Sequence, residues 1–135
     1  MFGCAPTRVP GMADPVQQPR ALTSIEAAVL EALLAQDFPG VVELRAQTNE
    51  VLAVTGCTCG CGTIDLLPQG ANLPRSASPS PVPSEGRVRD AEDADQGGIL
   101  LFLTDGLLAS LEVYSYFDPM PMPSLDRVEW VLVPR

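Results

Sequence analysis

The sequence predicts an α+β fold, with an N-terminal helix pair packed on a mainly antiparallel sheet of four to five strands. Three observations carry that expectation. Apolar residues recur at helical spacing between Leu22 and Leu34, strand-like runs fill the rest of the ordered chain, and Asp105-Gly106 joins two of those runs by a hairpin. Helices grouped ahead of an antiparallel sheet form a layer over one of its faces.

The first helix is expected from about Ser24 to Gln36. Thr23 with Glu26 has the form of a capping box, and Ile25, Val29, Leu30, Leu33 and Leu34 follow on one stripe. Asp37-Phe38-Pro39-Gly40 ends it, and Val41, Leu44 and Arg45 suit a shorter helix to about Gln47. Val51 to Leu67 then reads as β structure that passes through cysteines at alternate positions, Cys57, Cys59 and Cys61. A turn at Cys59-Gly60 would join a strand ending near Thr58 to one beginning near Cys61.

Ile99 to Thr104 is apolar on both faces, as in a buried strand. A two-residue type I′ turn at Asp105-Gly106 places Phe102 opposite Ala109 and Leu100 opposite Leu111, leaving Ile99, Leu101 and Leu103 on the other face with Leu108, Ser110 and Glu112. The return strand runs to about Tyr116, and Val128 to Val133 alternates as an edge strand would. Residues 1–20 carry Pro6, Pro10, Pro15 and Pro19 with few large apolar groups and are expected to be a disordered arm. The remaining 21–135 is expected to be one domain, with 68–98 a largely disordered insert.

At 135 residues with a net charge of −9 and no His or Lys, the chain lacks the commonest general base, the commonest metal ligand and the amine of Schiff-base chemistry. The negative charge disfavours nucleic acid and anionic membrane and favours a protein partner with a basic surface. Neither a secretory leader nor an apolar run of transmembrane length is visible, so a cytoplasmic location with reduced cysteines is expected.

Along an ideal strand Cys57, Cys59 and Cys61 would lie about 7 Å apart on one face, too far for a shared ion or a disulfide. Gly56, Gly60 and Gly62 allow the chain to bend and bring them closer. Zn would need a fourth ligand, whereas Cu(I) accepts two or three thiolates. Buried structural thiols and a redox pair are the other readings of the same residues. Ser110, Glu112, Tyr114 and Tyr116 alternate on one strand face, and Glu112, Tyr114 and Tyr116 are the expected partner-binding residues. No catalytic residue and no cofactor is expected, with Zn or Cu(I) at the cysteines as the alternative.

The core from Leu22 to Tyr116, with ALLAQDFPGVVELRAQ, CTCGC before TIDL, and GGILLFLTDGLLASLEVYSY, resembles a family of small uncharacterised bacterial proteins, mostly actinobacterial. They carry a Cys-x-Cys-Gly-Cys knuckle and a Leu-Glu-Val-Tyr-Ser-Tyr strand. The resemblance implies a bacterial cytoplasmic origin and adds no catalytic residue. The function expected from all of this is a non-enzymatic protein-binding module, an adaptor or an immunity-type inhibitor. The alternative is a thiolate metal-binding or redox protein centred on Cys57, Cys59 and Cys61.

Overall fold

Among the described residues seven antiparallel strands form one sheet, and two α-helices supply apolar residues that cover one of its faces. The structure is a computed structural model and describes residues 18–55 and 60–135. In chain order the elements are β1 (Arg20–Ala21), α1 (Ser24–Ala35), α2 (Val41–Gln47), β2 (Val51–Thr55), β3 (Ile64–Pro68), β4 (Ser84–Arg89), β5 (Asp95–Thr104), β6 (Leu107–Ser115) and β7 (Val128–Leu132). Strand order is β1-β2-β3-β6-β5-β4-β7. The α+β class holds, but the described residues form seven strands where four to five were expected, and β1 precedes both α-helices. Among the described residues no helix is long and apolar enough to cross a membrane.

The start of α1 is built as its sequence requires. The Thr23 hydroxyl accepts the Glu26 N–H at 3.1 Å, and the Glu26 carboxylate accepts the Thr23 N–H at 2.9 Å. Arg20, from β1, closes a two-pronged pair on that same carboxylate at 2.8 and 3.0 Å. Burial alone would raise the Glu26 carboxyl; the Arg20 guanidinium and the Thr23 N–H outweigh it and hold the group below its ordinary value. At the other end of α1, Arg45 from α2 donates to the Leu34 carbonyl at 2.7 Å and to Asp37 at 3.0 Å, satisfying a helix-end acceptor that has no partner inside the helix.

Val29, Leu30, Leu33 and Leu34 of α1 and Val41 and Leu44 of α2 meet Ala53, Ile64, Leu66, Ile99, Leu101, Leu111 and Val113 of the sheet in one core. α1 lies against β4, and α2 against β6. The face assignment of β6 differs from the expected one. The turn forms as anticipated, with Asp105 and Gly106 both at positive φ and Leu103 opposite Leu108. Beyond that pair the register shifts, so that Phe102 faces Ser110, Leu101 faces Leu111 and Leu100 faces Glu112. A bulge at Ala109 accounts for the shift: one extra residue on β6 turns Leu111 and Val113 inward beside Leu101 and Ile99, and sends Ser110 and Glu112 outward. Without it the strand would bury Glu112 and expose Leu111 and Val113.

The span 68–98, expected to lack structure, contributes β4 and the start of β5. Val82, Ser84, Gly86 and Val88 point into the protein and are buried, while Glu85, Arg87 and Arg89 alternate outward. Small residues replace large apolar ones on the inward face because Trp130 of β7 lies across Gly86 and Gln36, just past the end of α1, donates to Ser84 Oγ at 2.7 Å. Ahead of β4, the Val82 N–H bonds to the Leu101 carbonyl at 3.0 Å and Ser80 Oγ exchanges hydrogen bonds with the Leu103 backbone. The proline-rich segment is thus tied along β5 by long-range bonds.

Gln47, the last residue of α2, is fully buried. Its side-chain amide donates to the Pro74 and Gly106 carbonyls at 2.8 and 2.9 Å, and its oxygen accepts the Leu108 N–H at 2.8 Å. Gln47→Leu would strand the Pro74 carbonyl and the Leu108 N–H, while the Gly106 carbonyl keeps the Ser76 N–H, and we expect a loss of about 2–4 kcal/mol in chemical denaturation. The depressed Glu26 carboxyl has its own signature. Below about pH 4.3 the unfolded chain binds the proton more readily, so the contribution of Glu26 is complete above that pH and is lost as pH falls through the folded-state value. Glu26→Gln, which can keep the capping box, is expected to cost about 1–2 kcal/mol at neutral pH and to flatten the acid limb of the stability profile.

Candidate functional site

The sheet face opposite the helices carries the tyrosines. Reading across the strands, one row runs Glu129, Arg87, Gly98, Tyr114, and beside it Val131 stands opposite Glu85 and Leu100 opposite Glu112. Asp65 of β3 follows opposite Ser110 of β6. Glu112 and Tyr114 are half-buried, and Tyr116 is exposed just beyond the end of β6. Its N–H bonds to the Gln96 carbonyl at 3.0 Å, which continues the β5–β6 pairing by one residue. The three expected partner-binding residues therefore share one face that neither helix covers.

Two glycines on this pair of strands make the tyrosine arrangement possible. A Cβ on Gly98 would collide with the Tyr114 hydroxyl and lie 2.8 Å from the Gly86 carbonyl oxygen, so the Tyr114 ring occupies the space of the missing side chain. The aromatic ring in turn covers the glycine backbone. A Cβ on the neighbouring Gly97 would press on the backbone of Tyr114 and Ser115. Tyr114 and Tyr116 stand edge to face, with ring centroids 5.9 Å apart and planes at 66°. Burial pushes the Tyr114 phenol up to about 12, helped by Tyr116 and Glu85 and opposed by Arg87. Tyr114 stays neutral and available as a donor throughout the physiological range.

Glu85 and Arg87 belong beside the tyrosines and were missed by the sequence reading, because β4 lay inside the span expected to be disordered. The signal that could have found them is the alternation of Val82, Ser84, Gly86 and Val88 with Glu85, Arg87 and Arg89. Glu85 also reaches Arg135 at 3.4 Å. At the edge of the sheet Arg89 gathers Glu129 at 2.9 Å, Asp95 at 3.3 Å and Asp93 at 3.8 Å.

Of the expected metal ligands, Cys57 and Cys59 lie outside the described residues. Cys61 is a half-exposed free thiol. β2 ends at Thr55 and β3 begins at Ile64, so Cys61 sits in the connecting loop and not at a strand start near Cys61 as expected. Gly60, at φ +91°, turns the chain just before it, and the Gly62 N–H bonds to the Met120 carbonyl at 2.9 Å. The Thr63 hydroxyl then accepts the Val113 N–H at 3.0 Å and prolongs the β3–β6 seam. Among the described residues no group of three or more His, Cys, Asp or Glu side chains is placed to hold a metal ion.

No family model, curated protein or solved structure matches this chain.

The Tyr114 environment is open to titration. With only two tyrosines in the chain, Tyr116→Phe leaves Tyr114 as the sole phenol. Its ultraviolet titration is expected to have a midpoint well above the ordinary value of about 10. Above that pH the unfolded chain releases a proton that the folded chain retains until about 12, so stability falls with rising pH over this window.

Proposed function

We propose that the protein is a non-enzymatic binding module, an adaptor or immunity-type inhibitor acting in the cytoplasm, that engages a partner protein with a basic surface through the sheet face of Glu112, Tyr114 and Tyr116. The observation that carries this reading is the placement of the two tyrosines and Glu112 on the face that the helices leave uncovered, in a chain with a net charge of −9. Tyrosine suits such a surface because a rigid ring offers a large contact area at low entropy cost, with a hydroxyl at its rim. The ring of Tyr114 is already held over Gly98 before any partner arrives, so little ordering remains to be done on binding. Glu85 and Glu112 give the surface the sign that steers a basic partner toward it and away from phosphate backbones.

A second reading, thiolate chemistry with Zn or Cu(I) or a redox cycle at Cys57, Cys59 and Cys61, is favoured by one observation. The positive φ of Gly60 bends the chain immediately before Cys61, as joint coordination by neighbouring cysteines requires. Elemental analysis of protein purified without chelator, with a thiol count before and after mild oxidant, tests it; absence of metal together with thiols that stay reduced would remove it.

For the leading reading, the partner captured from the source cell should be re-purified and its affinity measured against wild-type, Tyr116→Ala and Glu112→Arg proteins. Both substituted side chains point away from the core. We expect each substitution to weaken binding about tenfold or more, and binding to weaken further between about 0.1 and 0.5 M salt. Affinity indifferent to salt and to both substitutions would overturn the reading.

A further inference from the structure

We propose that the apolar groove between α1 and the start of β2 is a second docking site, on the opposite side of the sheet from the tyrosines, and that it takes a cationic amphipathic helix of a partner protein. The groove encloses about 800 Å³. Its α1 wall is the stripe Ala27, Leu30, Glu31, Leu34 and Ala35, and its other wall is the run from Thr48 to Leu52. Positions i, i+3, i+4, i+7 and i+8 lie on one side of a helix over a little more than two turns, a track of about 12 Å. Leu30 and Leu34 are buried with Val29 and Leu33 in the core and close the bottom of the groove, whereas Ala27 and Ala35 are exposed and Leu22, Val51 and Leu52 half-buried along it. The groove is thus an open apolar channel between α1 and the short 3-10 turn Thr48–Glu50, and no third α-helix is present among the described residues to cover it.

Charge decides what fits. The cation in the groove, Arg45, is committed to the Leu34 carbonyl and to Asp37. The two acids, Glu31 and Glu50, have exposed side chains that make no hydrogen bond or ion pair with any described residue. An apolar floor with unneutralised carboxylates on both walls is complementary to a helix carrying Leu-type residues at i, i+3, i+4 and i+7 and Lys or Arg alongside them. An added strand is not the matching shape, because β1 already pairs with β2 at Leu52 and Ala53. An anionic ligand would face the wrong sign.

The test uses the full chain and three synthetic helices of about 15 residues, long enough to form a helix. One carries leucines at i, i+3, i+4 and i+7 with lysines elsewhere; the second has the same leucines with glutamates; the third has the lysines with alanines. We expect saturable fluorescence-anisotropy binding of the first peptide alone. Amide shifts in the NMR spectrum of wild-type protein should then concentrate on 27–35 and 48–52, a readout that needs no variant. Binding should fall at least tenfold in Glu31→Gln/Glu50→Gln and in Ala27→Trp, which fills the groove from an exposed helix position, and should be unchanged in Tyr116→Ala. No saturable binding up to about 100 μM, equal binding of the glutamate or the alanine peptide, or shifts centred on Tyr114 and Tyr116 would overturn the proposal. Loss of the tyrosine-face reading would leave this result unaffected, and the converse holds.

Discussion

The buried amide of Gln47 is the constraint on which the relative placement of the elements depends. It sits at the end of α2 and bonds three backbone groups that belong to two other parts of the chain, the Pro74 segment and the Asp105-Gly106 hairpin. A helix can slide over an apolar sheet surface with little change in buried area, since hydrophobic contact has no direction. Three directed hydrogen bonds remove that freedom, because any displacement leaves buried polar groups unpaired. The neighbouring bonds serve the same end: Ser76 donates to the Gly40 carbonyl at 2.7 Å, its N–H bonds to the Gly106 carbonyl at 2.9 Å, and Arg75 reaches the Asp105 carbonyl at 2.8 Å. The loop after β3, the α2 N-terminus and the hairpin tip are thereby clasped together.

The second determinant is the bulge at Ala109. A strand has two faces, and an inserted residue exchanges them for everything beyond it. Here the exchange places Leu111 and Val113 in the core and orients Glu112 and Tyr114 outward. The surface that the tyrosines occupy therefore exists because the core claimed the alternate positions. The same competition explains Gly98. Tyr114 stands across the β5–β6 pairing from it, and its ring lies where a side chain would otherwise be. Tyr114 is consequently held half-buried and neutral, while Tyr116, beyond the strand end, remains exposed.

The two sides of the sheet have different chemistry. One side is largely closed by α1 and α2, apart from the groove beside Leu30 and Leu34; the other shows aromatic, aliphatic and acidic side chains in rows set by strand register. His is absent from the chain altogether.

Local signals were legible in the sequence wherever the physics is local. The Thr23/Glu26 capping box, the helical stripe from Val29 to Leu34, the Asp105-Gly106 turn and the alternation ending at Trp130 each depend on residues within a few positions of one another. The tyrosine alternation was visible for the same reason. β4 was not, because its inward residues Ser84 and Gly86 are small to make room for Gln36 and for the Trp130 ring, partners 44 or more residues away in sequence that local composition does not report. The bulge at Ala109, the strand order that seats β4 between β5 and β7, and the Gln47 clasp were likewise decided only in three dimensions. Each resolves a competition between distant groups for the same buried space or the same hydrogen bond, and such a competition has no outcome until the chain has folded.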